Sequence, residues 1–208
     1  MASYFLSLIL SIPGLLIALS FHEFAHGYAA YLMGDNTARY DGRLSLNPMA
    51  HFDLVGTLCL LFFRFGWAKP VPINPYNFKN RKWGTVIVSL AGPFANFAVA
   101  LVCTVLFKLI SGFVDTSKIA EFFYLILYIA SAMNIGLMVF NLIPIPPLDG
   151  SKVLMEFLPP RLAFKMHSLE RYSGIILLAC IWTGILTPVL NLLASWVDAI
   201  IDLLTFFV

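Results

Sequence analysis

Charge is scarce in this chain. Of its 208 residues, 12% are Asp, Glu, Lys or Arg, about half the share of a typical soluble domain, while 60% are hydrophobic and the mean hydropathy is +0.87. That balance excludes an ordinary soluble fold and points to an all-α polytopic membrane protein. Cysteine is sparse as well. Cys59, Cys103 and Cys180 are odd in number, widely spaced and set in apolar runs, which excludes a disulfide framework or a CxxC site and reads as small buried hydrophobes. No polar stretch is long enough to fold as an appended module, so residues 1–208 read as one membrane domain. The net charge of +2 is scattered through short loops, with none of the basic runs that nucleic-acid binding needs. The N-terminal apolar run lacks the basic start of a signal peptide and leads directly into the residues discussed next, so it is expected to stay on the protein.

Against this background the segment His22-Glu23-Phe24-Ala25-His26 carries the most information. Residues i and i+4 of a helix share a face, so both imidazoles can bind one ion. Glu23, next to the first, is placed to act on water as general base, the arrangement of a zinc hydrolase. Tyr4 to Phe21 carries no charge and is long enough for a membrane helix, and its periodicity continues to about Met33. Ionisable residues inside such a segment are costly, and three within five positions favour a metal site over two core histidines that match the pattern by chance.

Hydropathy predicts further spans at Gly84–Ile110 and Ile119–Ile143, and two shorter ones within Ser173–Val208, which makes about five. Leu54–Phe65 is too short for an upright crossing and is expected to be re-entrant or interfacial. Before it, Gly42 to Asn47 alternates polar and apolar residues like a strand; after it, three prolines between Trp67 and Pro75 exclude an interior helix. With the first span running inward and Leu54–Phe65 not crossing, eleven of the thirteen basic residues share one face: Arg39, Arg43, Arg64, Lys69, Lys79, Arg81, Lys82, Lys152, Arg161, Lys165 and Arg171. Only Lys108 and Lys118 lie opposite. The positive-inside rule then puts the N-terminus outside and the C-terminus in the cytoplasm, with a prokaryotic plasma membrane as the expected location.

A catalytic zinc needs a third protein ligand and an open position. His51, His167 and Asp149 are the candidates, and Asp149 is the best placed. It follows Asn141-Leu142-Ile143-Pro144-Ile145-Pro146-Pro147-Leu148, whose prolines must unwind the end of the span begun near Ile119. Irregular backbone at membrane depth is tolerated where it lines a buried cavity, and a carboxylate there needs a positive partner. The competing reading is a plain surface turn at Asp149-Gly150.

HEFAH (22–26) together with NLIPIPPLDG (141–150) resembles the signatures of the site-2 protease family of intramembrane zinc metalloproteases. GRLSLNPMAHFD (42–53), GWAKPVPINP (66–75) and AGPFAN (91–96) resemble that family's strand-like segment, re-entrant region and second core helix, in family order, so the resemblance covers most of the chain. It implies a three-helix core with His22 and His26 on the first helix and Asp149 on the third. It also implies one zinc ion within the membrane toward the cytosol, Glu23 as base, and hydrolysis of a substrate's membrane-embedded segment. No stretch reads as the PDZ or CBS domain that many members carry.

Such an enzyme must bring water to the ion and unwind a helical substrate. Asn47, Asn96 and Asn141 are candidates to line that route or bind the extended substrate, although Asn96 fits a helix-bridging role equally well. Arg43, Leu44, Ser45, Leu46 and Asn47 are candidates for an edge on which an extended substrate pairs. The expected partners are a transmembrane protein substrate and the lipid bilayer. Two other classes compete. A metal transporter would repeat its ligands along a path and often show an inverted repeat, neither of which is found. A non-catalytic scaffold gives no reason for Glu23 between the histidines.

Overall fold

The computed structural model describes residues 2–51, 53, 56 and 68–208, and the side chains from residue 10 onward within the first helix. Most of the Leu54–Phe65 segment expected to be re-entrant therefore lies outside the described residues. The described residues are helical or irregular, with no strand among them. The long elements are α1 (Ala2–Met33), α2 (Arg81–Ser111), α3 (Lys118–Leu142), α4 (Asp149–Phe157), α5 (Pro160–Leu169), α6 (Ser173–Trp182) and α7 (Thr187–Leu204).

Helix ends follow local chemistry. α1 stops at the left-handed Gly34, where Gly34 N–H donates to Tyr31 O and Asp35 N–H to Ala30 O, a Schellman closure. Asn80 and Ser117 cap α2 and α3 by accepting from Trp83 N–H and Ala120 N–H. α3 ends where Pro144 removes the next donor, and α4 starts afresh at Asp149 after the irregular 143–148 segment.

Three helices among the described residues are long and apolar enough to cross a bilayer: α2, α3 and α7. At 1.5 Å per residue they measure about 46, 38 and 27 Å, against a hydrocarbon core of about 30 Å. α1, α2 and α3 pack against one another, α4 sits on α2, and α7 leans on α3. Where they meet the residues are small or hydrogen-bonded: Ala18, Ala30, Ala100 and Ala130 are buried, as are Asn96, Asn134, Ser131 and Thr104. Ser131 and Thr104 hydroxyls pair at 2.9 Å, and Asn134 Nδ2 donates to Ala130 O at 2.8 Å. The outward faces are apolar and exposed, including Phe94, Phe113, Ile119, Ile175 and Trp182. With no water-facing alternative for those side chains, this is a membrane protein.

Two expectations need correcting. Asp149 does not lie on the third long helix but opens the short α4 behind it, because the prolines break the chain before the aspartate is reached. Arg43–Asn47 has the alternation of a strand but no partner strand among the described residues; the nearby Lys69–Pro75 segment, interrupted by prolines, offers it few backbone donors. Ser173–Val208 holds two helices that meet near Thr187-Pro188, of which α7 comes near bilayer length. α6 has ten residues, about 15 Å.

Candidate metal centre

α1 carries His22 and His26 one turn apart on the face turned toward α2, and both are buried. The α3–α4 break delivers Asp149, also buried, to the same point. His22 Nε2 and His26 Nε2 stand 3.0 Å apart, and Asp149 Oδ2 is 3.2 Å from the first and 3.0 Å from the second. Among the described residues this is the one group of three or more metal-binding side chains close enough to share an ion.

The other ends of the imidazoles fix their tautomers. Asn96 Nδ2 donates to Ala18 O (3.1 Å) and Asn134 Oδ1 (2.9 Å), so its Oδ1 faces His22 Nδ1 at 2.6 Å and must accept. His26 Nδ1 lies 2.7 Å from the carbonyl of Val88, which can only accept. Each histidine therefore donates from Nδ1 and turns a bare Nε2 lone pair inward. Two lone pairs and a carboxylate oxygen then meet with nothing between them to donate.

Room for this meeting comes from Gly92 of α2. A Cβ there would lie 2.5 Å from His26 Nε2 and 2.6 Å from His22 Cε1, so no other residue fits. Glu23 stays outside the cluster, with Oε2 accepting from Val71 N–H at 2.8 Å. Lys152, half-exposed, holds the other Asp149 oxygen at 2.9 Å. His22, Glu23, His26, Val71, Asp149 and Lys152 line a mostly apolar cavity of about 930 Å³.

Comparison with known proteins identifies a family. Residues 108–183, which include Asp149, match the model of peptidase family M50. The chain is 36% identical over 187 residues to YwhC of Bacillus subtilis, covering 85% of this chain and 84% of that protein. It is 31% identical over 196 residues to Rip2 of Mycolicibacterium smegmatis, covering 91% and 71%. Both relatives carry the provisional name of zinc metalloprotease. The chain belongs to peptidase family M50. No solved structure matches it.

As an M50 peptidase the protein is a zinc metalloprotease. The residues present fit that ion. Ligand atoms about 2.0–2.1 Å from a tetrahedral zinc stand about 3.3 Å apart, close to the 3.0–3.2 Å found here, and two imidazoles with one carboxylate are a donor set typical of catalytic zinc. A cation also resolves the electrostatic conflict of acceptors facing acceptors.

The remaining sequence candidates fall into place around this M50 centre. His51 is buried away from it and donates from Nε2 to Ser45 O at 2.7 Å; His167 is exposed and pairs with Glu170. Neither joins the cluster. Asn96, a candidate substrate contact, is fully buried with both its oxygen and its amide nitrogen already bonded inside the bundle, which leaves it a role in orienting His22. Asn141 lines the cavity while its amide donates to Leu137 O. Arg43 donates to the carbonyls of Lys69 (2.7 Å) and Pro70 (3.1 Å), Leu44 packs near Gly27, Ser45 Oγ accepts from Asn47 N–H, and Asn47 Oδ1 accepts from Met49 N–H; Leu46 is exposed.

Val71, Val88 and Lys152 were not found by sequence reasoning. Lys152 had a legible signal, since three residues after Asp149 on a helix puts it on the same face. Val71 had a fainter one, as the single possible backbone donor within Pro70-Val71-Pro72.

Proposed function

We propose that this M50 peptidase is an endopeptidase that hydrolyses peptide bonds within or beside the transmembrane segments of membrane-protein substrates. The observation that carries the reading is the convergence of His22, His26 and Asp149, with Glu23 alongside, on the lining of an apolar cavity in a bundle that contains helices of bilayer length. His22, His26 and Asp149 would hold the zinc. When bound, zinc polarises a carbonyl and brings the pKa of water toward about 7. Glu23, outside the ligand cluster, takes the proton of the attacking water and passes it to the leaving amine. Asn96 and the Val88 carbonyl keep the two imidazoles in the tautomer that ligates. Lys152 occupies Asp149 Oδ1, so the aspartate offers Oδ2 alone.

In this reading residues 1–208 act as one domain whose partners are the bilayer and a transmembrane substrate. The substrate enters as an unwound segment, lying along Arg43–Asn47 and past Asn141, and the peptide groups it exposes are those a helix would hide. Leu54–Phe65 enters and leaves the membrane on the same face. The basic residues place the N-terminus outside and the C-terminus in the cytoplasm, which requires α6 with its flanking turns to reach the far face. The expected membrane is a prokaryotic plasma membrane.

The test is reconstitution in vesicles with a single-span peptide as substrate. Wild-type protein binds one zinc per chain and cuts the peptide. Glu23→Gln retains the zinc and loses cleavage. Cleavage by Glu23→Gln, or preference for a soluble unfolded protein over the membrane peptide, rejects the reading.

A further inference from the structure

Asp35 is the most deeply buried carboxylate among the described residues, 1% exposed, and nothing in the proposed reaction uses it. It sits just past the end of α1, whose own closure through Gly34 and Ala30 is complete without the side chain. The carboxylate instead reaches across the fold. Oδ2 accepts from Asn74 N–H at 2.7 Å, and Oδ1 accepts from Asn77 Nδ2 at 2.7 Å, from Thr37 N–H at 3.1 Å and from the Thr37 hydroxyl. Close by, Lys79 N–H donates to Met33 O at 3.0 Å, so the end of α1 holds the strap 69–77 at several points.

The same strap meets Glu23 three residues earlier. Pro70, Pro72 and Pro75 have no N–H, and they restrict the backbone between them to a narrow set of extended shapes. A strap of that stiffness transmits position: with Asn74 pinned, Val71 cannot shift freely. Val71 is buried, packs over Gly27 of α1, and gives its N–H to Glu23 Oε2 at 2.8 Å. At the strap's other end Lys69 N–H donates to His51 O, and Arg43 donates to the Lys69 and Pro70 carbonyls.

We propose that Asp35 is a positioning residue for Glu23, acting through the strap 69–77 and the Val71 amide. The proposal rests on the reading of Glu23 as base. A carboxylate is required at 35 because donors surround it; the amide of Asn in its place would turn an NH2 group against another donor.

The experiment measures kcat, KM and zinc content of the reconstituted protein on the single-span peptide. Asp35→Asn is expected to keep one zinc and a near-normal KM while kcat falls about 10- to 100-fold, the loss typical of a misaligned catalytic group. Val71→Pro, which deletes the donor itself, should give the same loss, and the double variant should be no worse than either single one. Thr37→Val removes a donor to Asp35 without touching the strap and should leave kcat unchanged. Wild-type kcat in Asp35→Asn, loss of zinc, a change confined to KM, an equal loss in Thr37→Val, or losses that multiply in the double variant would each overturn the proposal. If Val71→Pro does not fold, the contrast between Asp35→Asn and Thr37→Val decides alone. An active Glu23→Gln protein removes the base assignment itself, whereas an inactive one beside a fully active Asp35→Asn removes only this inference.

Discussion

Asp35 and Asp149 are both buried carboxylates, and their surroundings are opposite in kind. Asp35, 1% exposed, meets only donors: two backbone amides, one side-chain amide and one hydroxyl. Asp149, 5% exposed, meets Lys152 on one oxygen and two inward-facing imidazole lone pairs on the other. The first is complete without any outside species. The second gathers three acceptor atoms that a single bound cation would satisfy together. Burial alone thus says little about role; the neighbours separate a carboxylate satisfied within the fold from one that could join a metal.

The largest test of this contrast removes the second site. Asp149→Ala and His22→Ala should each lose bound zinc, measured by elemental analysis of purified protein, and cleavage should drop to background. Full zinc occupancy in Asp149→Ala would take that residue out of the cluster and erase the contrast. Asn96→Leu acts one shell out. It frees His22 to rotate or change tautomer, so zinc affinity measured by competition with a chelator should fall about 10- to 100-fold, with the helices still folded.

A smaller effect concerns the complete site. Burial works to push Asp35 up, but the hydrogen bonds from Thr37, Asn74 and Asn77 prevail and hold its carboxyl below the ordinary value. Its contribution to stability is therefore full above the usual carboxylate range, about pH 4, and is lost as pH falls through the lowered folded value. Melting in detergent at pH 6 should show wild type ahead of Asp35→Asn, and that gap should narrow as the pH is taken below about 4. A gap that widens in acid would reverse the sign. Smallest of all, His167→Ala should change neither zinc content nor cleavage rate, because His167 is exposed and tied only to Glu170.

The residues that chemistry demands at fixed spacing were legible in the sequence. His22, Glu23 and His26 lie within one turn, so the helix alone brings them together, and the prolines before Asp149 announced the break that frees it. The long helices were legible too, since their apolar runs approach or exceed the thickness of the bilayer core. What stayed hidden depends on contacts between distant segments. That Asn96 orients His22, rather than lining a substrate path, follows from the rotation of α2 against α1, which no local pattern specifies. Val71 and Glu23 are 48 residues apart, and Asp35 and Asn74 are 39 apart; hydropathy carries no trace of either pair. The strand-like alternation at 43–47 forms no strand among the described residues for a related reason: period two describes one segment, and a strand exists only when a second segment, such as the proposed substrate, pairs with it.

Gly92 turns the distance between two helices into a condition for catalysis. A single added methyl would press on both imidazoles, yet it would leave HEFAH, PPLDG and the hydropathy profile as they are. A Gly92→Ala descendant would still insert and still carry HEFAH and PPLDG, yet its added methyl would push both imidazoles from the point where they meet. Genomes scanned by motif would count it among the living peptidases. One carbon atom, read at a position outside both signatures, separates an enzyme from its silent copy.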